Sequence, residues 1–216
     1  MVVIPAGDFR MGGGSEYPVH DVHIKAFMIG KYELSQTQWL SIMGSNPSEF
    51  KGGSNPVDSV SWNDVQVFLQ KLNALSDHTF RLPTEAEWAY ATRAGTNNAF
   101  SWQRDDLDPM PNDPGIFTWF RFNSDAETHP VGKKLPNGYG LYDMHGNVGE
   151  WTQDCWNESY DGAPTDGSAW LSGDCDKRVN RGGNYGSTLG SLRAAFRDAR
   201  SASAHSRVLG FRLVRE

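Results

Sequence analysis

The feature that most constrains the fold is the stretch from Ser101 to Trp170, a long succession of Gly, Asn, Asp and Pro turns without helical or strand periodicity. The whole chain contains 23 Gly and 11 Pro beside eight Trp, seven Tyr and eleven Phe. Large aromatic side chains can anchor irregular segments. The sequence therefore predicts a loop-rich fold and excludes a helical bundle. So much structured loop usually means function or bound ions.

One loop has the composition of a cation site. Residues 143–151 read Asp-Met-His-Gly-Asn-Val-Gly-Glu-Trp, so Asp143 and Glu150 lie seven residues apart around a glycine turn. Calcium takes six to eight oxygen ligands from carboxylates, amides and backbone carbonyls, and glycine lets several carbonyls converge. The alternative is an N-capped turn whose acids are solvated.

Length and charge describe one domain over residues 1–216. The chain has 216 residues, 38% of them hydrophobic, and a formal net charge of -6. A core of that size needs no metal or disulfide. The acidic balance disfavours nucleic acid and anionic membranes as partners. No apolar run approaches the roughly 20 residues that cross a bilayer, and Met1 leads straight into a strand-like segment without a leader pattern. We expect a monomer without membrane insertion.

The two cysteines, Cys155 and Cys175, leave the compartment open. They form a disulfide if the protein is exported and two idle thiols if it is not. We favour the disulfide, and with it export to the periplasm or the cell surface. No Cys/His spacing supports a zinc site.

Three helices and three strands are predicted. Capping boxes at Ser35–Gln38 and Thr84–Glu87 each begin a short helix, and an amphipathic stripe runs from about Ser61 to Leu75. The strand segments are Val2 to Ile4, Val19 to Ile29 and Gly210 to Val214.

The common enzyme motifs are missing. The chain has no Gly-x-Ser-x-Gly elbow, phosphate loop or dinucleotide fingerprint. His20 and His23 fall on opposite faces of a strand, which spoils them as a ligand pair. His145 is interpreted as a turn residue beside the cation loop.

Taken together, several ordered motifs resemble the formylglycine-generating-enzyme (sulfatase-modifying-factor) family, a branch of the C-type-lectin-like fold. The resemblance implies an α+β fold of short antiparallel strands, two or three helices and long loops. It also implies one Ca2+, with side-chain oxygens from Asp143 and Glu150 and backbone carbonyls from Gly146 and Val148. Family members usually have Trp where Gly149 stands, and the second calcium loop of the family is poorly matched around Asn123 and Ser124. The matching elements are Ile4–Gly7, Met11–Gly12, Lys31–Ser35, Asn55–Val57, Ser61–Trp62, Arg81–Trp88, Asn137–Met144, Gly146–Trp151, Arg181–Gly183 and Gly210–Arg212.

The same resemblance argues against the family's reaction. Formylglycine generation uses copper held by two cysteines, and those positions match Ser187 and Leu192. A hydroxyl and an isobutyl group cannot replace two thiolates.

The segment from Asn184 to Val208, called the 184–208 segment below, lies where the family has its active site. About half of its residues are Gly, Ala, Ser or Thr, so flanking elements must impose its conformation. Its arginines Arg193, Arg197, Arg200 and Arg207 could line a surface for an anionic or planar ligand. For Arg193 and Arg197 we favour a structural role, bracing the fold through internal carboxylates, because family members often carry arginines there. Those expected to be exposed are Arg200, His205 and Arg207.

The 184–208 segment is also similar to the variable region of proteins diversified by retroelements. Small residues around a few aromatic and Arg anchors on a rigid scaffold suit recognition. On that resemblance, the candidates for ligand contact are Tyr185, Gly186, Ser187, Thr188, Ser191, Phe196, Asp198, Ala199, Arg200, Ser206 and Arg207.

Two functions follow. The first is a non-enzymatic, calcium-stabilised binding module that presents the 184–208 segment to a protein or other surface ligand. The alternative is a cysteine-independent oxidoreductase of the same family, such as a periplasmic enzyme of siderophore (pyoverdine) maturation. A deep pocket would favour the enzyme and a shallow face the binder.

Overall fold

The computed structural model describes residues 1–103 and 113–216. Residues 104–112 of the turn-rich stretch lie outside the described residues. The helices are α1 (Gln36–Met43), α2 (Trp62–Ala74), α3 (Glu85–Arg93) and α4 (Leu189–Leu192), with a 3-10 turn at Pro114–Ile116. The strands are β1 (Val2–Ile4), β2 (Gly7–Gly13), β3 (Glu16–Ile24), β4 (Phe27–Ile29), β5 (Phe80–Arg81), β6 (Gly149–Trp156), β7 (Asp174–Arg181), β8 (Arg197–Ser201), β9 (Leu209–Gly210) and β10 (Val214–Arg215).

The predicted helices are confirmed, and their starts follow from local hydrogen bonds. Ser35, Ser61 and Thr84 each accept a bond from the backbone N–H three residues on, while the side chain at that position bonds back to the cap. Such a capping box satisfies two backbone donors that a helix N-terminus leaves free. These short helices therefore begin where the sequence predicts.

The strands form three sheets within the described residues. One has the order β1-β4-β10-β5, one is the β2-β3 hairpin, and one has the order β8-β7-β6-β9. All pairs are antiparallel except β6 with β9. The α+β fold class is thus shown.

The predicted strand bounds need correction. The segment Val19 to Ile29 is divided into β3 and β4 by the exposed residues Lys25 and Ala26. The segment Gly210 to Val214 is divided between β9 and β10, which belong to different sheets.

The turn-rich stretch contains a central strand that the sequence does not reveal. In β6 the buried side chains include Glu150, Thr152 and Asp154, so polar groups occupy core positions and hide the apolar alternation of a strand. The interpretation of residues 101–170 as turns throughout is therefore wrong at β6.

Two apolar clusters flank the loop that carries the acidic motif. In one, Trp88 of α3 packs with Met144 and the β1 to β4 strands. In the other, Trp39 stacks on Phe68 with ring centroids 5.2 Å apart, beside Trp151. The loop thus begins against one cluster and ends in the other, which fixes both of its ends. Among the described residues, no helix is both long and apolar enough to cross a bilayer.

Candidate metal loop and binding face

The loop from Asp143 to Glu150, called the acidic loop below, turns tightly through left-handed backbone. The φ angles are 56° at Asp143, 84° at Gly146 and 54° at Asn147. A Cβ atom on Gly146 would lie 2.1 Å from the carbonyl oxygen of Trp119. Only glycine fits that approach, so the glycine of the motif is needed for the shape of the loop.

Glu150 is held by the protein's own donors. Arg212 donates from Nε to Oε2 and from Nη2 to Oε1, both at 2.6 Å, and Trp88 Nε1 donates to Oε2 at 2.7 Å. A carboxylate has about four acceptor sites. Glu150 could therefore bind a cation only while sharing its oxygens with Arg212.

Asp143 has an oxygen to spare. Its Oδ2 accepts a bond from Gly132 N at 2.7 Å, whereas Oδ1 is buried and has no hydrogen-bond partner among the described residues. Burial raises the pKa of Asp143 to about 6. The ammonium of Lys134, which lies 3.7 Å from the ring centroid of Trp119, lowers the pKa of Asp143 but does not cancel the effect of burial. The unpaired Oδ1 atom is the kind of group that a bound cation would satisfy.

A third carboxylate, Glu33, lies at the acidic loop and is absent from the predicted ligands. It accepts bonds from Val148 N at 3.1 Å and from Asn147 Nδ2 at 2.7 Å. Burial raises the pKa of Glu33 well above its usual range, and the charges of Asp143 and Glu150 raise it further. The three acids therefore repel one another inside the fold.

The charges at this site do not balance. Glu33, Asp143 and Glu150 are 1%, 2% and 0% exposed, and they share one buried guanidinium, Arg212. Burying uncompensated charge is expensive. With all three carboxyl groups ionised, a divalent cation would make up the deficit of two positive charges; without it, the raised pKa values of Glu33 and Asp143 favour their protonated forms.

The predicted ligand set fits calcium by its chemistry. Asp143 offers a free oxygen, and Gly146 and Val148 offer carbonyls of a strained loop, so the donors are the oxygens that calcium prefers. Within residues 1–103 and 113–216, no cluster of three or more His, Cys, Asp or Glu side chains is arranged to hold a metal. The calcium site therefore stays a prediction.

The positions of the family's copper ligands do not fit copper. Ser187 Oγ accepts a bond from Asn184 N at 3.0 Å and closes a turn. Leu192 is fully buried, and its carbonyl oxygen lies 2.6 Å from Nδ1 of His145. Neither side chain is a thiolate, so no soft metal site exists at these positions.

His145 is a core residue. Its Nε2 lies 3.0 Å from Ser101 Oγ, and burial lowers its pKa to about 4. The adjoining cavity is about 10 Å³, which is room for about one water molecule. The ring is therefore neutral near pH 7 and enclosed.

The 184–208 segment has a buried floor and an exposed rim. Tyr185 is 3% exposed, with its ring edge against Phe50 at a centroid distance of 5.6 Å, so it lies beneath the face. Of the other predicted contact residues, Gly186, Thr188, Arg200 and Arg207 are exposed, while Ser187, Ser191, Phe196, Asp198, Ala199 and Ser206 are partly buried.

The expected division of the arginines is confirmed. Arg193 pairs with Glu16 at 3.1 Å, and Arg197 pairs with Glu85 at 2.7 Å. The residues expected to be exposed, Arg200, His205 and Arg207, are exposed. Arg200 forms an exposed pair with Asp198 at 3.4 Å.

The neighbours of the segment are residues that the sequence does not single out. Arg121 N donates to Ser187 O at 3.1 Å, and the next residue, Phe122, is 76% exposed. Ser59 N donates to Ser206 O at 3.1 Å, beside buried Asp58. Only tertiary contact brings these loops to the face, and no local pattern could have indicated them.

Known proteins are similar to this chain in structure and in sequence. Variable protein 1 of Treponema denticola matches with a TM-score of 0.88 and 30% identity, covering 99% of this chain and 94% of that one. PvdO from Pseudomonas aeruginosa matches with a TM-score of 0.88 and 32% identity, covering 99% and 93%. The chaperone protein LppX of Paenibacillus barcinonensis is 29% identical over 263 aligned positions, covering all of this chain and 89% of that protein. The sulfatase-modifying factor enzyme 1-like domain model matches residues 1–216, and the chain therefore belongs to the formylglycine-generating-enzyme (sulfatase-modifying-factor) family.

Proposed function

We propose that this protein is a recognition module, in which a calcium-stabilised frame presents the 184–208 segment to a protein or other surface ligand. The observation that carries the proposal is a fixed backbone beneath exposed, mostly small side chains. Tyr185 N donates to Asn147 O at 2.8 Å, Ala194 N to Ala99 O at 2.7 Å, and Asn63 N to Ala202 O at 3.1 Å. Rigid backbone with adaptable side chains is how recognition loops limit the entropy cost of binding.

The shape of the segment supports a binder over an enzyme. Four cavities among the described residues, beside β4, beside β2, beside α1 and at His145, have no lining residue from the 184–208 segment. Small-molecule sites are usually concave and enclosed, whereas protein interfaces are not. The similarity to a variable protein at a TM-score of 0.88 supports the same function.

Calcium is proposed as a structural ion of the acidic loop. Asp143 and Glu150 would hold it with the carbonyls of Gly146 and Val148. Bound there, it would supply two positive charges to three buried carboxylates and lock the loop between the two apolar clusters.

Export is proposed on the basis of the disulfide. Cys155 and Cys175 are bonded, with Cα atoms 4.4 Å apart. Disulfides persist in the periplasm and at cell surfaces and are rare in a reducing cytosol. A surface or periplasmic place suits a protein that recognises surface ligands.

The cysteine-independent oxidoreductase remains the second candidate, supported by the match to PvdO. It would need a substrate pocket and a group that accepts electrons. Ser187 and Leu192, which occupy the positions of the family's copper ligands, supply no thiolate, and the cavity at His145 is too small for a substrate.

The test compares two variants of equal charge change. The face variant is Thr188→Arg with Arg200→Glu, and the control is Thr79→Arg with Lys71→Glu; all four residues are exposed. Wild-type protein first selects a partner from the exported proteins of the source cell, and that partner is then purified. Calorimetry should give a Kd at least about tenfold weaker for the face variant, or roughly 1.4 kcal/mol, and an unchanged Kd for the control.

Equal affinity of both variants for the purified partner would show that binding does not use this face. Oxygen uptake with a substrate, retained in the face variant, would favour the oxidoreductase.

A further inference from the structure

Beneath the 184–208 segment, the loop of residues 48–59 meets the two ends of the segment. The Phe50 ring packs edge-on against Tyr185, and Ser59 N donates to Ser206 O at 3.1 Å. Asp58 adjoins Ser59, and Arg207 adjoins Ser206. We call this junction of residues 48–59, 185 and 206–207 the seam.

The first unusual group in the seam is Asp58. It is fully buried, and its Oδ1 accepts bonds from Glu49 N at 2.8 Å and from Ser59 Oγ at 2.9 Å. Its Oδ2 is buried and has no hydrogen-bond partner among the described residues. A buried carboxylate oxygen without a donor is costly, so an unmet need for a donor exists here.

The second unusual group is the hydroxyl of Tyr185. It too is buried without a hydrogen-bond partner among the described residues. Burial raises the pKa of Tyr185; the charge of Arg207 lowers it, and those of Asp58 and Glu49 raise it. The charges of Arg207, Asp58 and Glu49 therefore all act on the Tyr185 hydroxyl, at the same seam that the Phe50–Tyr185 and Ser59–Ser206 contacts define.

The charges of the seam favour a cation as the missing group. Asp58 and the exposed Glu49 carry two negative charges, against one positive charge on Arg207. The Arg207 side chain is exposed and forms no ion pair or hydrogen bond with any described residue. Ser59 has a φ of 58°, a backbone strain that non-glycine residues tend to keep at functional sites.

We propose that the seam is a subsite for a Lys or Arg side chain of a protein ligand, bound by Asp58 Oδ2 and the Tyr185 hydroxyl once Arg207 moves aside. An ammonium has three donors and a guanidinium five, enough to donate to a carboxylate oxygen and a hydroxyl together. A charge-assisted bond to a carboxylate is about twice as strong as a neutral one. The identity of the ligand as a protein rests on the proposed function, whereas the need for a cation rests on the seam alone.

The subsite can be tested without a partner, with butylguanidinium as the probe and butylurea as its neutral counterpart. NMR of the Tyr185 ring signals should show saturable shifts with butylguanidinium and none with butylurea. Asp58→Asn should weaken the affinity at least about tenfold, and Tyr185→Phe, which keeps the packed ring, should weaken it severalfold. Arg207→Gln should strengthen it severalfold, because it removes the competing cation. Glu49→Gln is the control for a general charge effect and should change the affinity less than Asp58→Asn.

Equal shifts with the neutral probe, or an unchanged affinity in both Asp58→Asn and Tyr185→Phe, would overturn the subsite. A crystal structure grown with the probe that shows only a water molecule between the two atoms would do the same. Loss of the subsite alone leaves the recognition face intact, because that proposal depends on Thr188 and Arg200. If the probe still binds at the seam and the face variant binds its partner as tightly as wild type does, the proposed function is refuted and the subsite is not.

Discussion

Two buried charged sites in this protein differ in how their charge is compensated. Glu85 receives two guanidiniums, Arg181 at 3.0 Å and Arg197 at 2.7 Å. At the acidic loop, three buried carboxylates share Arg212. Groups of the protein itself compensate the first site, which we call the complete site. At the second, the incomplete site, one guanidinium faces three carboxyl groups, and the proposed calcium would supply the remaining positive charge.

The largest expected effect is at the complete site. Glu85→Ala leaves Arg181 and Arg197 buried without their carboxylate, and breaking such a pair costs about 3–5 kcal/mol. Urea unfolding should show this loss equally with calcium and with chelator. A calcium-dependent loss would mean that the two sites are not independent.

A somewhat smaller effect is expected at the incomplete site. With calcium at about 100 times its Kd, the wild-type protein should be about 2.7 kcal/mol more stable than with chelator. Asp143→Asn should remove this gain, because it removes the negative charge and, if the amide oxygen keeps the bond from Gly132 N, turns an NH2 group toward the ion. The Glu150–Arg212 pair stays in place. Glu150→Ala should remove it as well and also destabilise the chelated protein.

Thermal melting of the three proteins with calcium and with chelator checks this, and Asp161→Asn, an exposed acid, is the control. A wild-type melting temperature that is the same with calcium and with chelator would refute the calcium site.

A pH dependence can sharpen the comparison from within the complete site. Burial, and then the charge of Glu85, raises the pKa of Asp154 to about 7. A carboxyl whose pKa is raised by folding contributes stability below its ordinary pKa near 4, and that contribution is lost as pH rises to about 7. The two backbone donors, Glu85 N at 2.7 Å and Trp170 N at 2.8 Å, oppose the shift, and burial outweighs them.

Carbon-13 NMR of the Asp154 carboxyl should give the raised pKa directly. Urea unfolding at pH 4 to 7 should show a steeper fall in stability for wild type than for Asp154→Asn. If stability fell equally with pH in wild type and in Asp154→Asn, the backbone donors Glu85 N and Trp170 N would outweigh burial, and Asp154 would be charged from pH 4 to 7.

The sequence predicted what local chemistry controls. The capping boxes at Ser35 and Thr84 depend on residues three apart, so both helices begin as predicted. The pairing of Arg193 and Arg197 with internal carboxylates was also predicted, through the resemblance to the family.

Contacts between residues distant in sequence could not be predicted in this way. β6 is hidden because Glu150 and Asp154 are polar and buried, and only partners distant in sequence make that tolerable. Glu33 reaches the acidic loop, and Ser59 reaches the 184–208 segment, from more than 100 residues away. No spacing within either motif encodes those neighbours.

The smallest expected effect separates the face from both buried sites. The Asp198–Arg200 pair is exposed and 3.4 Å apart, and such pairs usually contribute less than about 1 kcal/mol. Arg200→Ala should therefore change the unfolding free energy by no more than about 0.5 kcal/mol, because the backbone of β8 is held by β7 and not by this side chain. Urea unfolding measures it, with Arg197→Ala on the same strand as the buried counterpart. If Arg200→Ala were as damaging as Arg197→Ala, the side chains of the 184–208 segment would be part of the structural frame and could not vary freely for recognition.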